Sequence, residues 1–246
     1  MLDLQGYEAS ILKGALLTIE VAVLSLLLAM LLGMLGALAK MAPYRWVRAI
    51  ATLYTTIIRG IPDLVLMMLI FFGGQILLNN GLSWFNEFIN QWLTARDPNH
   101  EWVAYLPDYV DISPFVAGVL TIGFIFGAYM AETFRGAILA VDKGELEAAK
   151  AYGMSAAMSF RRILLPQMIR HAIPGFGNNW LVLLKTTALV SIIGLEDMVR
   201  ISSLAAGSTK MPFTFYMAVA IIFLFFTSVS TGLLKLLERK FSIHTR

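Results

Sequence analysis

Five long apolar runs, at about 14–39, 50–78, 114–141, 172–195 and 213–234, constrain this chain more than any other feature. A helix needs about 20 residues to cross about 30 Å of hydrocarbon, and each run is long enough. Backbone groups in lipid have no water to bond, so each spanning segment must satisfy its own hydrogen bonds. The expected fold is therefore all-α: a polytopic membrane protein with five transmembrane helices in one domain, 1–246. Charged residues are 14% of the chain, where a soluble domain carries about 25%. Cys is absent, which excludes thiol catalysis, Cys-ligated metals and disulfides. The first run ends in Ala37-Leu38-Ala39, which has the look of a cleavage site. It is nevertheless expected to stay, because Asp3 and Glu8 precede it in place of a basic region and it far exceeds the about 7–15 residues of a signal core.

Loop charges orient the chain. Lys40, Arg45 and Arg48 follow the first run. Arg135, Lys143, Lys150, Arg161, Arg162 and Arg170 lie between the third and fourth, and Lys235, Arg239, Lys240 and Arg246 form the tail. Only Lys13, Arg96, Arg200 and Lys210 fall clearly on the other side. The positive-inside rule puts the N-terminus outside and the C-terminus in the cytoplasm.

Outside, residues 79–112 form the longest connection. Within it Trp84, Phe85, Phe88, Ile89, Trp92 and Leu93 follow helical spacing, with Asn86, Glu87, Asn90 and Gln91 opposite. This predicts a short amphipathic helix on the bilayer or on neighbouring spans, with a docking surface for an extracytoplasmic partner as the alternative. Ser113-Pro114 reads as the cap and first residue of the third span.

Inside, the loop 142–166 carries a patterned segment. Glu145–Tyr152 is strongly helix-forming, with acidic residues in its first turn. Gly153 can take the left-handed conformation that ends a helix, and a second amphipathic segment reaches Pro166. The result is a compact helix–Gly–helix elbow able to enter a groove on another protein.

Glu147-Ala148-Ala149, three residues, Gly153, nine residues, Ile163, one residue and Leu165-Pro166 resemble in full the EAA motif of membrane permease subunits of bacterial ABC importers. Arg59–Leu64, Gly127–Gly136, Pro174–Trp180, Lys185–Ser191 and Gly194–Asp197 look like the polar amino-acid branch, most similar to Q-type permeases for histidine, lysine, arginine and ornithine. The outer loop is longer than that family leads one to expect. The resemblance implies a type I importer permease fold in the bacterial inner membrane, with the loop acting as a coupling helix through Glu147, Ala148, Ala149 and Gly153. It implies a sister permease, favouring a heterodimer, two ATPase subunits and a periplasmic amino-acid-binding protein. ATP and Mg are then bound by the ATPase, and this chain has no Gly-x-x-x-x-Gly-Lys-Ser/Thr with which to cradle ATP.

Ionisable residues within spans are functional candidates. Arg59 and Asp63 are four apart across a bend at Pro62 and can pair on one face. Glu132 and Arg135 are three apart, and Lys185 has no local acid. A zwitterionic amino acid needs a cation for its carboxylate and acceptors for its ammonium. Depth and resemblance together suggest that Asp63, Glu132, Asn179, Lys185 and Thr186 border a midplane substrate site. A Glu132–Lys185 pair that only holds spans together is the competing reading. His100, His171 and His244 show no metal spacing, and no nucleic-acid module is present. The leading function is a non-enzymatic permease subunit of an ATP-driven importer of basic amino acids. The alternative is an ion-gradient-driven secondary transporter, although no internal repeat is visible. An intramembrane enzyme would need a nucleophile–base arrangement, which the sequence does not offer.

Overall fold

The computed structural model describes residues 4–97, 101–107 and 109–241, so His100, Asp108, His244 and Arg246 lie outside the described residues. Among the described residues eight helical elements follow one another: α1 Glu8–Lys40, α2 Arg45–Gly60, α3 Asp63–Thr94, α4 Pro114–Leu139, α5 Lys143–Ala151, α6 Ala156–Ile193, α7 Met198–Thr209 and α8 Pro212–Phe241. Of these, α1, α3, α4, α6 and α8 are long and apolar enough to cross a bilayer.

The core is a seam between α1 and α4. The buried face of α1 is a stripe of small residues: Gly14, Ala15, Thr18, Ala22, Ser25, Ala29, Gly33 and Ala37. Its large side chains, Leu16, Leu24, Leu27, Leu31 and Leu35, are exposed. This inverts the soluble pattern. Lipid tails solvate leucine well, so helices associate where small residues let backbones close together. Gly123 and Gly127 of α4 serve that purpose. A Cβ on Gly123 would sit 2.6 Å from Leu28 Cδ2, and one on Gly127 2.8 Å from Leu32 Cβ. Contacts advance together along both helices, from Ser25 Oγ donating to Val119 O at 3.3 Å to Lys40 reaching Glu132, so α1 and α4 run parallel.

The second span differs from expectation. It was placed at about 50–78, but the helix breaks at Ile61, which is extended (ψ 140°) ahead of Pro62. Proline disfavours the helical conformation in its predecessor. The preceding α2 is a separate amphipathic helix, burying Ala51, Thr55 and Ile58. The span then runs as α3, through a π-turn at Leu69–Gly73, to Thr94. The separate amphipathic helix expected at 84–93 is thus the end of α3. Its aromatic side is exposed, with Trp84 stacked on Phe88 and Arg96 over Trp92.

On the polar side of α3, Glu87 and Gln91 stay exposed but Asn86 and Asn90 are buried. Gln75, Asn79, Asn86 and Asn90 hold the returning segment 103–112 by its backbone. Asn86 accepts from the N–H groups of Tyr105 and Leu106 at 3.0 and 2.9 Å and donates to Leu106 O at 2.9 Å. Asn90 accepts from Val103 N at 2.9 Å and donates to Val103 O at 2.8 Å. Asn79 does the same at Val110, at 2.7 and 3.1 Å. Gln75 donates to Val110 O and accepts from Ile112 N. Each amide offers a donor and an acceptor, as the edge of a neighbouring strand would. Asn86 is 1% exposed. Its replacement by leucine removes three hydrogen bonds, roughly 3 kcal/mol of local stability. Amide exchange at Val103 and Leu106 is expected to accelerate roughly 100-fold, and unchanged exchange would show that the strap does not depend on this ladder.

The fourth span also starts earlier than the expected 172. Ser155 caps it, accepting from Met158 N at 3.3 Å, and the helix passes through both Pro166 and Pro174. A π-turn at Phe160–Leu164 immediately before Pro166 absorbs the missing backbone donor. The third span begins as expected, with Ser113 as its cap, accepting from Val116 N at 3.3 Å, and Pro114 as its first residue.

Asp197 caps α7, accepting from Arg200 N at 2.8 Å, and is fully buried; its second oxygen has no hydrogen-bond partner among the described residues. Burial pushes its carboxyl up to about 6. A raised folded value means that the native state binds the extra proton between about pH 4 and 6. Stability therefore falls as pH rises through that window, by roughly 3 kcal/mol in all. Asp197→Asn keeps the capping oxygen and removes the titration. Its unfolding midpoint should be flatter than the parent's between pH 4 and 7; parallel profiles would refute the assignment.

Candidate functional site

Helix α4 organises the ionisable residues. Three of its consecutive residues, Glu132, Thr133 and Phe134, belong to different environments, because each step turns about 100° around the helix.

One face meets α1 and α2. Glu132 pairs with Lys40 at the end of α1, and its other oxygen accepts from Arg135 Nε at 3.1 Å. Lys40 also donates to Thr55 Oγ1 of α2 at 2.8 Å. The Lys40 and Glu132 side chains are 11% and 20% exposed, so this is a largely desolvated cluster tying three helices at one end of the bundle. The competing reading, a Glu132–Lys185 pair, is replaced: the partners of Glu132 are Lys40 and Arg135.

Another face carries Tyr129 and Thr133, one turn apart. Tyr129 lies beside Asp63 at the start of α3, close enough for the phenol and the carboxylate to interact, and the Arg59 guanidinium lies 5.7 Å from the Tyr129 ring centre. Arg59 and Asp63 thus meet through Tyr129 rather than by forming an ion pair. Asn179 of α6 donates to Thr133 Oγ1 at 2.9 Å and touches Met130 Sδ at 3.7 Å. Asp63 and Asn179 therefore converge on adjacent turns of one helix. They supply a carboxylate, a phenol, a hydroxyl and an amide, a set suited to a polar, cation-bearing ligand.

The remaining two expected site residues are not brought there. Thr186, two turns beyond Asn179, is buried and its hydroxyl donates to Val182 O of its own helix at 3.0 Å. Lys185 is exposed and forms no ion pair among the described residues. Six residues from Asn179, it points to a different side of α6. Sequence reasoning missed Lys40, Tyr129 and Thr133. The i, i+4 spacing of Tyr129 and Thr133 beside Glu132 was the only available signal for the latter two.

The elbow stands apart, at the end of the bundle that holds Lys40. Asp142 caps α5, accepting from Gly144 N at 2.7 Å. The helix stops where Gly153 takes φ +77°. Met154 N donates to Ala149 O at 3.0 Å and Gly153 N to Lys150 O at 2.9 Å, the paired bonds of a Schellman motif. Glu147, Ala148 and Gly153 are exposed; Ala149 is 3% exposed and packs inside the elbow. Tyr152, at the tip, is 88% exposed. Glu145 is tied to Gln167 of α6, which fixes the elbow to the span that follows.

Residues 21–243 match the family model for the binding-protein-dependent transport system inner membrane component. Over 240 residues, 98% of this chain and 96% of the relative, the sequence is 49% identical to the histidine/lysine/arginine/ornithine transport system permease protein HisQ of Salmonella typhimurium. It is 38% identical over 235 residues, covering 96% and 91%, to the octopine transport system permease protein OccQ of Rhizobium radiobacter. The fold superposes on a chain of the solved structure described as an amino acid ABC transporter with histidines. That TM-score is 0.74 at 32% identity, over 95% of each chain.

Proposed function

Because the chain belongs to the binding-protein-dependent transport system inner membrane component family, we propose that it forms half of an inner-membrane pathway for histidine, lysine, arginine and ornithine, driven through the elbow by a separate ATPase. It is a multi-pass permease subunit of an amino-acid ABC importer and not itself an enzyme. The observation that carries the coupling role is the elbow: a complete EAA pattern on a capped, internally closed helix–turn that projects an exposed Tyr152.

The N-terminus faces the periplasm and the C-terminus the cytoplasm, which sets the elbow, Lys40 and most loop cations inside. A two-ATPase motor offers two sockets and this chain one elbow, so it pairs with a sister permease about a two-fold axis. ATP and Mg are held by the ATPases, and a periplasmic binding protein delivers the amino acid. Asp63, with Tyr129, accepts the cationic group of the substrate, while Asn179 and Thr133 bond its polar atoms. Glu132 is committed to Lys40 and Arg135, and Lys185 and Thr186 lie off this cluster, so the substrate role narrows to Asp63 and Asn179.

The test is uptake of labelled arginine and histidine by cells carrying the whole importer. Losing a charge-assisted hydrogen bond costs about 1.5–3 kcal/mol, so Asp63→Asn should lower uptake at least roughly tenfold with normal assembly. Normal uptake by an assembled Asp63→Asn complex would refute the site. Failure of the parent complex to couple ATP hydrolysis to ligand-loaded binding protein would refute the function.

A further inference from the structure

Two neighbouring cavities at the elbow end of the bundle have no place in the transport reading. The first, about 450 Å³, lies between α6 and the end of α8 and is lined by Gln167, Arg170, His171 and Glu238 together with Ile173, Pro174 and Phe241. The second, about 350 Å³, lies deeper, among α1, α4, α6 and α8. Every side chain lining it is apolar, including Met34, Phe134, Met168, Phe176 and Leu234. Ile173 and Phe241 line both, so the two are adjacent.

The polar part is ionic at the end where α8 leaves the span, and the apolar part reaches back along α1 from Met34 to Met30, six to ten residues short of Lys40. That is the depth of acyl chains just beneath a headgroup. Within the ionic part Arg170 and Glu238 form no ion pair with each other or with any other described residue. Gln167 is occupied by Glu145 of the elbow. A cation on the α6 wall and an anion on the α8 wall, above an apolar cleft, complement a ligand that carries phosphate, a primary ammonium group and a hydrocarbon tail.

We propose that this paired cavity binds one phospholipid with an ethanolamine headgroup, its phosphate at Arg170 and His171, its ammonium at Glu238, and one acyl chain in the cleft between Met34 and Leu234. An ammonium group donates hydrogen bonds to a carboxylate; the trimethylated choline cannot. A phosphoglycerol headgroup carries the same phosphate but no cation to meet Glu238. The inner-leaflet placement rests on the orientation proposed above. Because Gln167 joins the wall of this site to Glu145, the lipid lies against the base of the elbow.

Native mass spectrometry of the importer assembled with its sister permease and ATPases tests this, after equilibration with phosphatidylethanolamine, phosphatidylcholine or phosphatidylglycerol. The parent complex should retain phosphatidylethanolamine at least roughly tenfold over phosphatidylcholine. Glu238→Gln, on the surface, should reduce that preference to near unity. Ala172→Trp, which fills the cleft, should lower retention of all three lipids. Equal retention of the ethanolamine and choline lipids, preference for the glycerol lipid, or no retained lipid would each overturn the proposal. So would full displacement by soluble phosphoethanolamine, which has no tail. The same spectra report whether the ATPases are present, so loss of the transport reading is seen separately from loss of the lipid.

Discussion

Deleting Glu147–Gly153 is expected to abolish association with the ATPase while all five spans remain inserted. The expectation follows from how little of the elbow the bundle uses. Its cap, Asp142, and its stop, Gly153, are local, and Ala149 packs within the turn itself. Only the Glu145–Gln167 bond ties its first turn to α6, whereas the seam between α1 and α4 lies elsewhere. A finer variant reports the same surface. An aromatic side chain that is 88% exposed on a monomer and central to an interface is the kind that dominates binding. Tyr152→Ala should therefore cost about 2 kcal/mol, a roughly 30-fold weaker complex. Gly153→Val should do as much by a different route, since φ +77° excludes a β-branched residue and the turn must reshape. Co-purification of the ATPase with the deleted chain would contradict the assignment.

Replacing Glu132 by leucine is expected to be the most damaging point change inside the membrane. It leaves Lys40, 11% exposed, without its carboxylate partner. Breaking a buried pair from one side costs about 3–5 kcal/mol, a large part of the about 5–15 kcal/mol that holds a domain together. Adding Lys40→Met removes the stranded charge and should recover most of the loss, because an apolar pair of similar volume often replaces an ion pair at little cost. Thermal unfolding of the two single variants and the double variant gives the coupling directly. Uptake separates the roles: if the double variant is stable and transports, Glu132 is structural. If it is stable and inactive, the charged pair has a part in transport beyond holding the helices together.

Much of this architecture was legible in the residues. Apolar runs long enough to span announce themselves, and the elbow was readable down to the left-handed glycine because caps and glycine turns are local devices. What was not legible depended on partners far along the chain. Asn86 and Asn90 looked like a wet face because periodicity distinguishes polar from apolar but cannot say that an amide is bonded to backbone instead of water. Periodicity accordingly predicts a separate amphipathic helix on the bilayer where α3 in fact continues and holds the strap. Lys40 looked like an ordinary inside-loop charge, since its partner is 92 residues away and pairing required the register of two parallel helices. Lys185 was the reverse case: its depth in an apolar run suggested a site, but the turn of α6 points it away from Asn179.

The amide-held strap and the charge-held cluster sit at opposite ends of the chain's span, and they respond to different weather. Carboxamides neither titrate nor shed counterions, so the end fastened by Gln75, Asn79, Asn86 and Asn90 should keep its shape through acid and brine. The end fastened by Lys40 and Glu132 rests on groups that do titrate, shielded only by their burial, and in the proposed orientation it is the one that faces the buffered interior of the cell.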